Sequence, residues 1–306
     1  MSRRDAVLLA VLTLIWGLNW PIMKLALVDF APLTFRAVSL IGGLAVMGLI
    51  ARLQGHSLAI SQRWWPEVAA LGLYNLVLWF VLSILGIGML TSGRAAILGY
   101  TLPVWVALIG TVVYGERQGP RLLLALTFAA TGIGLLLAEE FSNLTGRPLG
   151  TLMMVLAAFT WAIGTHRLRR RKVPAPIAVL TFWMMIEALV VCAVIALTFE
   201  RDRWPATVSF GGLFAMVYNI VLAYGVAQIL WFRLATLMPP VISALSVMLI
   251  PVVGVFSGAW LLGERPVLAD YAALVAMLVA IALTLLPQRR PAGSAAPAGN
   301  RSTKGR

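Results

Sequence analysis

One cysteine, Cys192, occurs in 306 residues. That excludes an intrachain disulfide framework and any cysteine-built metal cluster. Charge is scarce too: 11% of residues are Asp, Glu, Lys or Arg, against about 25% in soluble domains. The acidic residues number 11 and the histidines two, and they build no H-E-x-x-H pattern and no clustered acid pair at an interface. The nucleophile elbow G-x-S-x-G and the phosphate loop G-x-x-x-x-G-K-[ST] are absent as well. Zinc hydrolysis, serine-hydrolase chemistry and ATP hydrolysis by this chain therefore lack their residues. What the chain has in abundance is apolar: 61% of residues are hydrophobic and the mean hydropathy is +0.93. A soluble domain of this length could not cover that surface with 24 Lys and Arg and 11 acids.

The apolar residues fall in long runs. No charge interrupts residues 6–23, 68–93, 95–115, 204–232 or 234–263. Shorter runs lie at 33–51, 122–138, 149–166, 176–199 and 271–286. A helix that crosses about 30 Å of hydrocarbon needs about 20 such residues, so ten transmembrane helices are expected. Strands of a closed barrel would alternate over about 10 residues instead. The first run follows Arg3-Arg4 as a signal peptide does, but no convincing small-residue cleavage site follows it, so it reads as retained. With both termini in the cytoplasm, 17 Lys and Arg fall inside and 7 outside, as the positive-inside bias requires. The net charge of +13 is then a topology signal, and no nucleic-acid partner is expected.

The chain resembles itself. Gly115-Glu116-Arg117 returns as Gly263-Glu264-Arg265, Pro103 as Pro251 and Gly110 as Gly258, all at one offset. Tyr74-Asn75 returns as Tyr218-Asn219, and Trp16 as Trp161, at nearly the same offset. Two five-helix units follow, residues 1–143 and 144–287, with 288–306 as an Arg/Pro/Ala/Gly-rich cytoplasmic tail expected to be disordered. An odd number of crossings per unit inverts the second copy. The expected fold is an all-α membrane bundle of ten helices in a 5+5 inverted repeat around a central cavity, a common transporter design.

Trp16-Gly17-Leu18-Asn19-Trp20-Pro21, Arg36 opening the second helix and the two Gly-Glu-Arg turns resemble the EamA-type branch of the drug/metabolite transporter superfamily, over about residues 6–287. Length, ten spans and 11 tryptophans resemble its bacterial exporters of aromatic and other neutral amino acids. The resemblance implies a bacterial inner-membrane exporter, gradient-driven or facilitative, that works by alternating access. An exporter of drugs, sugars or nucleosides from the same superfamily is the alternative, and an integral-membrane lipid-modifying enzyme or a channel fits the residues less well. No cofactor or metal is expected. The partners are a small-molecule substrate and the bilayer.

Polar and aromatic residues within the spans are the candidate site, because lipid cannot satisfy them. Asn75, Trp79, Ser83 and Gly86 share one face of helix three, and Trp16, Asn19, Trp20 and Met23 one face of helix one. Helix eight offers Tyr224, Gln228 and Trp231; helices four, six and nine offer Tyr100, Trp161 and Ser246. The substrate set is Trp16, Asn19, Asn75, Trp79, Tyr100, Trp161, Tyr224, Gln228 and Ser246. Pro21, Pro103 and Pro251 free carbonyls one turn back and are expected to break or gate their helices. Rings would hold an apolar side chain; amides and hydroxyls would hold a carboxylate and an ammonium. Each has a plainer use: Trp64, Trp65, Trp204, Trp231 and Trp260 as interfacial anchors, the others in helix packing.

Glu187, in the middle of helix seven, is either a proton-coupling acid or a buried helix–helix contact. Lys24 and Arg36, with Asp29 between them, form either a solvated ion pair or a positive rim that draws in carboxylates. His166 precedes a basic run and has no second ligand at metal spacing. Gly254 and Gly258 have GxxxG spacing, which serves close packing or a homodimer contact.

Overall fold

A computed structural model describes residues 3–116, 119–142, 147–230 and 240–285, with the side chains of Asp5, 240–248 and 285 excepted. The tail 288–306 and Trp231 lie outside the described residues. Among those described there is no strand. The helices are α1 (Arg3–Ala26), α2 (Pro32–Leu53), α3 (Gln62–Met89), α4 (Ser92–Tyr114), α5 (Arg121–Ser142), α6 (Pro148–Arg169), α7 (Ile177–Phe199), α8 (Phe210–Leu230), α9 (Pro240–Leu262) and α10 (Leu268–Leu285). Eight are long and apolar enough to cross a bilayer. Two shorter apolar stretches, Leu249–Leu262 and Leu268–Thr284, lie in α9 and α10. The chain is a multi-pass membrane protein.

Helix ends are where such a bundle is most exposed to unsatisfied polarity, since the first N–H groups of each helix have no partner within it. Here carboxylates from other helices' ends supply them. Glu200, just past α7, accepts from Leu33 N (3.1 Å), Thr34 N (2.7 Å) and Thr34 Oγ1 at the start of α2. Glu264, past α9, accepts from Ser92 N (2.7 Å), Ser92 Oγ and Gly93 N at the start of α4. Asp29, past α1, accepts from Ser209 N and Oγ, and Ser209 Oγ in turn takes Gly212 N of α8. Negative charge at a helix N-terminus is also favoured by the helix dipole.

The same end of the bundle carries a buried ion cluster. Arg94 of α4 bonds Glu140 of α5, and its Nε donates to Asp270 of α10 at 2.6 Å. Glu140 also accepts Arg147 N. Lys24 donates to Leu90 O at the C-terminal end of α3, where a cation meets the carbonyl-rich pole. The expected pairing of Asp29 with Lys24 or Arg36 therefore does not occur. Asp29 and Lys24 each meet a helix terminus instead, and Arg36 turns inward to Tyr224 and Met23.

The Gly-Glu-Arg turns have a common mechanism. Gly115 and Gly263 end their helices at φ of +66° and +64°, which side-chain-bearing residues rarely adopt. The next residue's N–H then turns back to Gly110 O or Gly258 O. The glutamate side chain folds onto that glycine: a Cβ at 110 or 258 would stand 2.5 Å from Oε2. The recurrence of Gly110 at 258 is thus explained by the carboxyl that lies over it.

Bare backbone also sets the central contacts. A Cβ at Gly17 would meet Val253 at 2.5 Å, and one at Gly254 would meet Ala96 at 2.8 Å. Gly254 and Gly258 are therefore used inside the chain, between α9, α1 and α4. The three prolines differ. Helix α4 is interrupted: its first piece ends at Gly99 and its second starts at Leu102, with Pro103 in the first turn. Thr101 Oγ1 donates to Leu98 O and accepts Trp105 Nε1, which closes the gap. Pro21 and Pro251 lie inside continuous helices, so the expected breaks there are corrected. Proline is tolerated within membrane helices because neighbouring helices and local adjustments satisfy the backbone groups it frees.

Arg94→Ala would leave the buried carboxylates of Glu140 and Asp270 without a cation. We expect a loss of about 3–5 kcal/mol, read as a fall of many degrees in the melting of detergent-purified protein. Glu264→Gln should cost less, because an amide still accepts from Ser92.

Candidate functional site

The aromatic residues meet in three groups near the middle of the bundle. Trp79 of α3 and Trp161 of α6 have ring centroids 4.5 Å apart. Trp20 of α1 and Tyr100, in the gap of α4, are edge to face at 6.2 Å. Phe80 of α3 and Tyr224 of α8 are edge to face at 6.0 Å. Phe80 follows Trp79 in the chain, and Met23, one turn beyond Trp20 on α1, touches the third group through Arg36. Rings in such offset and edge contacts attract beyond their area of contact.

Arg36 is the residue that the sequence placed least well. Instead of rimming the outer end, it is 3% exposed. Its Nη1 donates to Tyr224 Oη at 2.7 Å, its Nη2 contacts Met23 Sδ at 3.4 Å and its guanidinium lies 4.8 Å from the Phe80 centroid. The sequence signal for Phe80 was its repeat offset: it stands where Tyr224 stands in the second half.

The remaining candidates divide. Asn75 is buried, donates to Leu71 O at 2.8 Å and packs on the bare backbone of Gly164 in α6. Ser83 is buried too, and Gly86 faces Met154, so the helix-three face looks onto α6. Trp16 is half-buried against the core. Asn19 is half-buried, and its Oδ1 is enclosed with no hydrogen-bond partner among the described residues. Gln228 is half-buried. Ser246 lies in α9, and its side chain is outside the described residues. Glu187 is half-buried with its carboxyl against Gly72 of α3, at a helix–helix contact rather than in any of the three groups.

Both α3 and α8 contain π-helical segments, Leu73–Val77 and Tyr218–Val226. Such wide turns inside α-helices recur at functional sites. In each, the repeated asparagine donates to the carbonyl four residues back: Asn75 to Leu71 O and Asn219 to Ala215 O. Trp79 and Phe80 follow the first of these segments within one turn, and Tyr224 lies inside the second.

At the other end of the bundle His166 is fully buried in α6. Its Nε2 lies 2.8 Å from Val106 O, so Nε2 carries a proton, and Nδ1 faces Arg170 at 3.1 Å as an acceptor. Arg170 also reaches Glu116 at 3.1 Å. No cluster of three metal-ligating side chains occurs among the described residues. Trp260 at 81% and Trp204 at 57% are exposed near helix ends, as interfacial anchors are, whereas Trp64 is half-buried against a small apolar cluster. Trp183 instead donates to Leu58 O and packs edge-on against Trp65.

The EamA-like transporter family model matches the chain twice, over residues 4–138 and 148–286. Transporter YvbV of Bacillus subtilis is 26% identical over 290 residues, covering 92% of each chain. A probable amino-acid metabolite efflux pump of Escherichia coli is 23% identical over 284 residues, 87% of this chain and 89% of the pump. A solved crystal structure at 17% identity superposes with a TM-score of 0.62 over 94% of this chain and 98% of its own, a likeness of fold. The chain belongs to the EamA-like transporter family, a family of transporters rather than enzymes.

Proposed function

We propose that this protein exports small amphipathic metabolites, foremost aromatic and other neutral amino acids, from the bacterial cytoplasm by alternating access. The observation that carries the reading is the set of inward ring pairs, Trp20–Tyr100 within the first half and Trp79–Trp161 and Phe80–Tyr224 between the halves, the last beside the buried Arg36. Ring faces take an apolar side chain and attract an ammonium; Asn19, Tyr224 and Arg36 offer polar contacts. The efflux-pump relative supports an amino-acid cargo.

The ten-helix, 5+5 inverted arrangement belongs to this proposal, with halves 1–143 and 144–287. Helix contacts support it. The pair α1–α9 is mirrored by α6–α4, α3–α6 by α8–α1 and α2–α8 by α7–α3. The pairs α2–α7, α4–α9 and α5–α10 map onto themselves. Phe80 and Tyr224, repeat mates, touch each other. A helical bundle suits an inner membrane, since bacterial outer-membrane spans are barrels, and the Lys/Arg bias puts both termini in the cytoplasm.

Two measurements test this. Proteoliposomes should show counterflow of labelled Phe, Trp, Met or Thr above empty vesicles; a broad panel of amino acids, sugars and cationic dyes with no flux would overturn the transporter reading. Alanine at Trp79, Trp161 or Tyr100 should lower flux about threefold to tenfold, the worth of one aromatic contact, with folding retained; unchanged flux in all three removes the site. Reporter cysteines at each terminus, on a chain whose own Cys192 is buried, should label from the same side, and labelling from opposite sides would refute the even number of crossings.

A further inference from the structure

Arg36 is a buried cation without a counter-charge. No ion pair among the described residues includes it. Only one of the 11 acids has an undescribed side chain, Asp5, and about 27 Å of helix separates it from Met23, which Arg36 touches. Glu200, near the start of α2, has both oxygens on Leu33 and Thr34. Among the described residues Nε of Arg36 has no partner, and Nη2, on the same edge of the guanidinium, meets only a thioether sulfur. A thioether is a weak acceptor. An unpaired charge inside a membrane bundle is costly, and its retention marks a functional site.

We propose that this Nε–Nη2 edge is the recognition point for the carboxylate of the transported solute. The inference rests on the transporter reading above and narrows it to carboxylate-bearing cargo. The planar fork of a guanidinium edge matches two carboxylate oxygens. Tyr224 Oη accepts from Nη1, which leaves the Nε–Nη2 edge to the anion. Phe80 and Tyr224 then lie beside the guanidinium, where the solute's side chain would rest. Amines, amino alcohols and nucleosides lack the group that the edge requires.

The test uses the full chain in proteoliposomes, with counterflow of labelled L-phenylalanine competed by the unlabelled acid, its amide and phenylethylamine. Purified protein is melted in parallel with each compound. Wild type should be competed and stabilised by the acid at least tenfold better than by the amide or amine. Arg36→Met keeps the apolar volume; replacement of a buried charge by a well-packed apolar residue is often neutral for folding. It should lose at least tenfold in flux and should melt alike with acid and amide. Arg36→Lys keeps charge but not the fork and should show a raised KM. If amide and amine match the acid on wild type, or if Arg36→Met keeps the preference for the acid, the assignment falls while transport stands. Acid-specific stabilisation lost in Arg36→Met, with no flux of any solute, would keep the Arg36 site and remove the transporter reading.

Discussion

The bundle depends on the need to satisfy helix ends where water is scarce. Three carboxylates answer that need by reaching across the chain: Glu200 to α2, Glu264 to α4 and Asp29 to α8. Each comes from beyond the C-terminal end of an odd-numbered helix and binds the first turn of an even-numbered one. Each contact therefore neutralises N–H groups and fixes which helices stand side by side. Arg94 with Glu140 and Asp270 holds α4, α5 and α10 at the same end, and Lys24 ties α1 to the end of α3. At the opposite end, among the described residues, the ion pair of Glu116 with Arg170 is about a third or more exposed, and exposed pairs contribute little.

The two ends of the bundle thus differ in how their charges are paired. Between them the middle of the bundle holds the aromatic groups, the gap in α4 and the widened turns of α3 and α8. A π turn and a helix break each weaken backbone bonding locally. The glycines at 17 and 254 bring α1 and α9 close beside this region, so a small shift of either helix reaches the aromatic groups directly.

Much of this was legible in the residues. Long charge-free runs indicate membrane helices because hydrocarbon admits little else. The Gly-Glu-Arg recurrence indicated a repeat, and both glutamates do fold over the mated glycines 110 and 258. Trp79, Trp161 and Tyr100 were named as site residues; Trp79 meets Trp161, and Tyr100 meets Trp20 of the helix-one face. Other readings missed. Pro103 and Pro251 look alike in sequence, yet only α4 is interrupted, because the side chains of Thr101 and Trp105 bond into the gap there. Asp29 looked like the partner of its neighbours Lys24 and Arg36, whereas its oxygen caps a helix 180 residues away.

The amino-acid order alone determined what each segment must do: cross a membrane, turn at a glycine, recur after about 145 residues. Those properties are local or periodic, and the solvent imposes them on any chain with this pattern. Only the tertiary structure decided which charges find partners. Arg94 meets two acids from distant helices, while Arg36, equally basic, is enclosed by a tyrosine, a methionine and a phenylalanine. Electrostatic pairing acts over a few ångströms, and sequence separation carries no information about distances that short.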